Sequence, residues 1–156
     1  LEFIKLWHSK SLTDASAEHL KKLKNLKGIE ISCSKATAGM VKHLRDLPME
    51  YVALEYGVNA PAGDAIDSVK SIPTLRRLKL SGIPLTNANL SALASATQIA
   101  ELSFQLSELP EERLPYLQAF SFLKSLRLDS AKKPFSLETQ QKVKALLPKV
   151  EVTFGN

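Results

Sequence analysis

The chain has 156 residues, of which 44% are hydrophobic and 24% are charged, and its formal net charge at pH 7 is +5. This length suits one domain with a substantial core, and this composition is typical of a folded chain rather than a disordered one. A membrane-spanning role is not expected, because no apolar run reaches the roughly 18 residues that a membrane helix needs. Cys33 is the only cysteine, which excludes an internal disulfide and weakly favours a reducing compartment such as the cytoplasm.

A pattern of two apolar residues separated by one position recurs seven times along the chain. The first apolar residue of each copy is its anchor, and the anchors are Ile4, Ile29, Val52, Leu78, Leu102, Leu126 and Val150. Successive anchors are 23 to 26 residues apart, and each has another apolar residue two positions later and three positions earlier. Apolar alternation predicts a short strand at each anchor. A repeat of this length predicts stacked copies of one unit, since a single copy cannot bury its own apolar side.

The segments between these strands carry apolar residues at every third position, as in Leu90, Leu93 and Ala96. Such spacing predicts a helix of two to three turns with one apolar face. Thr13, Thr86 and Ser136 stand where they could cap the first turn of such a helix. The sequence therefore predicts strands and short helices in alternation.

The stretch Leu85-Thr86-Asn87-x-x-Leu90-x-x-Leu93 resembles the leucine-rich repeat family, in particular its ribonuclease-inhibitor-like and bacterial branch. The resemblance implies an α/β leucine-rich repeat solenoid with about seven parallel strands on the concave side and helices on the convex side. Residues 1–156 then form one domain, expected to be a fragment of a longer protein because Leu1 already lies within a repeat. The family's turn ladder of Asn or Cys is missing, which predicts less regular repeats. In its place stand Ser9, Ser34, Gly57, Ile83, Ser107, Ala131 and Gly155.

Catalytic signatures are weak, and no enzyme activity, metal site or cofactor is expected. His8 and Cys33 occupy matching places in adjacent repeats, so a Cys–His nucleophile pair is conceivable, but no third group is placed to orient it. His19 and His43 match in register on neighbouring helices that lie too far apart to share a metal ion, and both are expected at the surface. The concave face is therefore the candidate for function.

Strand residues that flank the buried anchors are expected to point away from the core. The aromatic residues among them gather near the N-terminal end, with basic residues two strands further on, and such groups are typical of binding hot spots. The predicted partner-binding residues are Phe3, Trp7, Tyr51, Glu55, Arg77, Lys79 and Arg127. Phe3 and Trp7 have an alternative explanation, which is packing beneath an upstream repeat absent from this chain.

The leading hypothesis is a non-catalytic module that binds another protein through its concave sheet. Its alternative is the recognition segment of a larger enzyme or effector whose catalytic part lies elsewhere. Nucleic acid is disfavoured, since acidic residues such as Glu30, Glu101 and Glu151 share the sheet with the basic ones. The exposed N-terminal edge, with Leu1, Ile4 and Leu6, predicts self-association or an upstream cap.

Overall fold

Seven strands form one sheet in which the spatial order follows the chain order. The computed structural model describes residues 1–8, 11–32, 36, 39–55 and 62–155, with residues 62 and 63 described by their backbone alone. Every pair of neighbouring strands is parallel, as predicted. The strands are β1 (Phe3–Leu6), β2 (Gly28–Ile31), β3 (Tyr51–Leu54), β4 (Arg77–Ser81), β5 (Glu101–Ser107), β6 (Ser125–Ser130) and β7 (Glu151–Gly155).

A helical segment connects each strand to the next, and segments that follow one another along the chain pack side by side. The α-helices are α1 (Ala17–Leu20), α2 (Gly39–Lys42), α3 (Ala62–Lys70), α4 (Asn87–Ala94) and α5 (Leu137–Leu146). The described residues also form two 3-10 helices, at Asp14–Ser16 and Glu111–Phe120. Packed helices are about 8 to 10 Å apart whereas strands are about 4.8 Å apart, so the helical layer lies on the outside of the curve and the sheet on the inside.

The core lies between the two layers and is built from the residues that the periodicity predicts. The anchors Ile29, Val52, Leu78, Leu102 and Leu126 are all at most 3% exposed. The helix stripe is buried against them, including Val41, Ile66, Leu90, Leu117 and Val143. Each large aliphatic side chain so buried contributes roughly 1.5 to 3 kcal/mol relative to exposure.

The caps were predicted correctly at two helices, and one of the predicted helices is of the 3-10 type. Thr86 Oγ1 accepts the N–H of Asn89 at 3.1 Å, and Ser136 Oγ accepts that of Thr139 at 3.1 Å. The segment Glu111–Phe120 forms a 3-10 helix rather than an α-helix. Its apolar residues are spaced by three, which places them on one face of a helix with three residues per turn.

At the start of each strand, one backbone carbonyl joins two successive repeats. Among the described residues, five carbonyl oxygens each accept two consecutive N–H groups from the next repeat, at 2.7 to 3.3 Å. They belong to Glu2, Lys27, Glu50, Arg76 and Ala100. These bonds give the strand side of the array a regular support that does not depend on an Asn ladder in the turns. The ladder positions Ser9, Ser34 and Gly57 lie outside the described residues.

The last repeat differs from the prediction by two residues. The register places Val152 opposite Leu126 and Phe154 opposite Leu128, so Val152 is the anchor and Val150 is not. Val150 lies in the turn before the strand, where its N–H donates to the carbonyl of Leu147 at 3.1 Å. The first two rows of side chains on the concave side therefore take Glu151 and Thr153 from β7, where the predicted register would have placed Lys149 and Glu151.

An irregularity also lies between β5 and β6, where the register shifts between Phe104 and Ser107. Leu106, within this bulge, has a left-handed backbone with φ of 49° and exposes 57% of its surface. A branched residue is strained in that region. Before the shift, residues 101–104 of β5 pair in regular register with residues 125–128 of β6. The rows of side chains from these residues are therefore continuous across the two strands.

Candidate functional site

The concave face of the sheet presents two rows of side chains that run across all seven strands. The first row contains Phe3, Gly28, Tyr51, Arg77, Glu101, Ser125 and Glu151. The second row, two residues further along each strand, contains Lys5, Glu30, Ala53, Lys79, Ser103, Arg127 and Thr153. Most of the predicted binding residues therefore lie in these rows. Trp7 follows β1 directly, and Glu55 follows β3.

Phe3 and Tyr51 are stacked at the N-terminal end of the first row, although they lie on strands that are not neighbours. Their ring centroids are 5.8 Å apart and the ring planes differ by 15°. Gly28, between them, makes this contact sterically feasible. A Cβ atom there would lie 2.5 Å from Cδ2 of Phe3 and 3.4 Å from Cδ1 of Tyr51. The missing side chain of Gly28 thus lets two aromatic rings meet across an intervening strand.

Lys5 connects Trp7 to this stack. Its ammonium group lies 5.0 Å from the ring centroid of Trp7 and 5.6 Å from that of Phe3. These distances are within the range of cation–π attraction. The same ammonium is 3.2 Å from Glu30 Oε2. The three aromatic residues that the sequence predicted to gather, here called the aromatic cluster (Phe3, Trp7 and Tyr51), are therefore linked through one lysine and one carboxylate.

Glu30 was expected on the open face, but it is only 7% exposed. The phenol of Tyr51 donates to its Oε1 at 3.0 Å, and Lys5 covers its other oxygen. Ala53, expected to be exposed in the same row, is fully buried. The prediction of exposure was wrong at both positions, and at Glu30 the reason is that the Lys5 and Tyr51 side chains of neighbouring strands cover the carboxylate.

Tyr51 is the central residue of this network. Burial, followed by the hydrogen bond to the Glu30 carboxylate, raises the pKa of the Tyr51 phenol to about 12. On its other side, the guanidinium of Arg77 lies 5.2 Å from the Tyr51 ring centroid. Tyr51 therefore contacts Phe3, Glu30 and Arg77 at once, and it contributes to the local structure as well as to the surface.

The basic residues of the second row are already paired with carboxylates of this chain. Lys79 Nζ is 3.2 Å from Glu55 Oε1, and Arg127 Nε is 3.0 Å from Asp129. Arg77 and Lys79 were both predicted to contact a partner. The ion pair of Lys79 with Glu55 and the contact of Arg77 with the Tyr51 ring use part of the capacity of these two side chains to bind a partner.

The other half of the concave face, over β4 to β7, forms an open groove with a volume of about 380 Å³. It contains the polar and charged residues of both rows, from Arg77 to Thr153. At its far end Asp129 lies over Gly155, where a Cβ atom would come within 2.1 Å of Asp129 Oδ1. Among the described residues, Tyr51 is the one aromatic residue that lines this groove, and Leu78 and Leu102 add apolar surface between the polar and charged side chains.

The described part of the chain bears on the sequence-based expectations for metal ligands and histidines. Groups of three or more potential metal ligands are absent from those residues, and His19 and His43 are exposed as expected. Cys33 lies outside the described residues, so the pairing proposed for His8 and Cys33 is not addressed by the structure. Within the same residues, no helix has the length and apolar character needed to cross a bilayer.

Comparisons with known proteins add one structural likeness. No protein-family model matches this chain, and no curated protein sequence matches it. A solved structure described as a crystal structure of a TLR13–ssRNA13 complex is similar, with a TM-score of 0.49 and 19% identity. That likeness covers 83% of this chain but only 22% of the other chain. The strand order and the alternating helices give this chain the fold of an α/β solenoid with one parallel sheet.

Proposed function

We propose that this chain is a non-catalytic recognition module that binds a protein partner through the concave side of its sheet. The observation that carries the proposal is the aromatic cluster. Phe3 is 39% exposed and Trp7 is 51% exposed, while the hydrophobic core is packed beneath them. Large rings held in place on an open surface bury much apolar area on binding at a low cost in conformational entropy.

The charge distribution favours a protein over a nucleic acid as the partner. A surface that follows a phosphate backbone needs cations that are available to release counterions. Three lysine and arginine side chains of the second row instead form ion pairs within the chain, to Glu30, Glu55 and Asp129. Glu101 and Glu151 further reduce the positive potential of the same face.

The same observation is compatible with a larger architecture, in which this module recognises a target for an enzymatic or effector domain on the same polypeptide. The full-length gene would distinguish that arrangement from an independent binding module. The proposed surface is the same in both cases, so the experiment below applies to either.

The test compares variants of the two faces against a partner captured from the source cells. Trp7→Ala is expected to weaken the affinity by about 2 kcal/mol, as truncation of a hot-spot ring does. Lys22→Ala, on the exposed outer side after α1, is the control and is expected to leave affinity unchanged. Affinity is measured by calorimetry, and the free energy of unfolding of each variant is measured in parallel. A partner that is lost with Lys22→Ala and retained with Trp7→Ala would contradict the proposal.

Trp7 is a better probe than Tyr51, for a structural reason. Removal of the Tyr51 side chain would leave the buried Glu30 carboxylate without its phenol donor, and an unpaired buried group costs about 1 to 3 kcal/mol. The loss of affinity would then be mixed with a loss of stability. Lys142 is likewise a weaker control than Lys22, because it forms ion pairs with Glu111 of the neighbouring 3-10 helix and with Glu138 of its own helix.

A further inference from the structure

Apart from Arg77, which lies beside Glu101 at the β4 end of the first row, the charges in the groove over β4 to β7 are sorted by sign into the two rows. In the first row, Ser125 lies between Glu101 and Glu151. In the second row, Ser103 lies between Lys79 and Arg127. This order follows from the observed register of β7, since the register expected from the sequence would have placed Lys149 in the first row and Glu151 in the second. From β5 to β7 the first row is therefore acidic, and from β4 to β6 the second row is basic, with Arg77 as the one cation of the first row in this groove.

The two rows differ in how far their charges are compensated. Lys79 and Arg127 are paired with Glu55 and Asp129, as described above. Glu101 and Glu151 are exposed and form no ion pair with any described residue. The carboxylates without an ion pair are thus in the first row, and a cation placed over Ser125 would lie close to both Glu101 and Glu151.

The second row retains donors that its internal ion pairs do not use. Arg127 donates to Asp129 through Nε, which leaves the outer nitrogens of the guanidinium for a further acceptor. Ser103 lies between the two cations, and its Oγ is buried with no hydrogen-bond partner among the described residues. A buried hydroxyl without a partner is costly, and rotation about χ1 would turn it toward an acceptor in the groove.

We propose that this groove recognises an extended partner segment in which a basic and an acidic side chain lie two residues apart. This inference rests on the proposed function and specifies the partner's chemistry. The rows are separated by two residues along each strand, or about 6.6 Å, which is also the separation of side chains on one face of an extended peptide. The basic side chain lies over Glu101, Ser125 and Glu151, and the acidic one lies over Lys79, Ser103 and Arg127.

The probes are tripeptides with an acetylated N-terminus and an amidated C-terminus. Their binding is followed by NMR of the ¹⁵N-labelled protein. Arg-Ala-Glu and Glu-Ala-Arg present the two charges in the two directions along the strands, while Arg-Ala-Gln and Gln-Ala-Glu each lack one charge. At least one of the doubly charged peptides is expected to cause saturable shifts at the amides of Ser103 and Ser125. Its dissociation constant should be lower than that of either singly charged peptide, by about fivefold for an exposed ion pair.

Variants of the protein separate the two rows. The double change Glu101→Gln and Glu151→Gln is expected to weaken the binding of the doubly charged peptide at least about fivefold. Arg127→Gln should weaken it less, because that side chain is already paired within the chain. Glu112→Gln removes an exposed carboxylate from the helical side and serves as the control, with no expected change. Equal affinity for doubly and singly charged peptides, or an equal effect of Glu112→Gln, would overturn the inference.

Failure of this inference can be distinguished from failure of the proposed function by use of the captured partner. If Trp7→Ala abolishes partner binding and the glutamate double variant leaves it unchanged, the recognition module stands and the charge-pair inference is wrong. If the double variant weakens partner binding at least fivefold, the inference is supported. This second outcome is independent of the result for Trp7, because Trp7 does not line the groove.

Discussion

Replacement of Gly28 by alanine tests whether the aromatic cluster is built around the space that this glycine leaves. The new Cβ atom would lie 2.5 Å from Cδ2 and 2.9 Å from Cε2 of Phe3. Both distances are shorter than van der Waals contact allows, so the Phe3 ring must leave its place. Since Phe3 lies on an edge strand and is 39% exposed, the ring can move into solvent without disturbing the core.

The expected cost follows from what the displaced ring loses. The stacking contact with Tyr51 accounts for about 0.5 to 1.5 kcal/mol, and re-exposure of a half-buried phenylalanine adds about 1 kcal/mol. Alanine in a strand is better than glycine by about 0.5 to 1 kcal/mol, which offsets part of this loss. Gly28→Ala is therefore expected to lower the free energy of unfolding by about 1 kcal/mol.

The assay is a double-mutant cycle measured by urea unfolding with far-UV circular dichroism. In a Phe3→Ala background the clash disappears, so Gly28→Ala is expected to be neutral or to stabilise by about 0.5 kcal/mol. The coupling between the two positions should be about 1.5 kcal/mol. An equal cost of Gly28→Ala in both backgrounds would refute the reasoning, because the penalty would then come from the backbone or from Tyr51 and not from the Phe3 ring.

Three further outcomes are expected. Because the folded-state pKa of Tyr51 is raised to about 12 and an unperturbed tyrosine has a pKa near 10, its stabilising contribution is complete below about pH 10 and is lost as the pH rises through 12. Absorbance at 295 nm should show a late tyrosinate phase that Tyr51→Phe removes; a titration unchanged by that substitution would contradict the assignment. Thr86→Ala should cost about 1 kcal/mol through loss of the cap to Asn89, whereas Thr97→Ala, at an exposed turn position, should change thermal stability little; equal effects would exclude the cap. Leu106→Gly should raise the free energy of unfolding by about 1 kcal/mol, since φ is 49° there, and a loss of stability in chemical unfolding would show that the leucine side chain is needed.

The repeat period predicted most of the fold because each buried anchor has an independent copy of the same signal. The prediction failed at the last repeat, because Val150, Val152 and Phe154 are apolar residues at every second position. The local pattern therefore fits two registers equally well. The constant spacing favoured Val150. The chain instead uses Val150 in the turn, as Leu123 is used in the repeat before it, with an N–H bond to the residue three positions earlier.

The site was predicted in part, and the missing part depends on contacts between distant residues. Alternation correctly placed Phe3, Tyr51 and Arg77 in one row, because that row needs only the pleat and the period. The burial of Glu30 beneath Lys5 and Tyr51 could not be read from any one strand. The same is true of the pairing of Lys79 with Glu55, since ion pairs between repeats depend on which rotamers the neighbouring strands permit.

The carbonyl groups that accept two N–H donors have a consequence for how such a chain could change in length over evolution. Duplication or deletion of a complete repeat leaves every one of these carbonyls with its two donors, so the array can lengthen or shorten without an unmet backbone group. Insertion of a single residue at a strand start would remove a donor. The last junction resembles that outcome, because the carbonyl of Lys124 accepts only the N–H of Glu151 among the described residues. Length variation among related chains should therefore occur in whole repeats within the array and in single residues at β7.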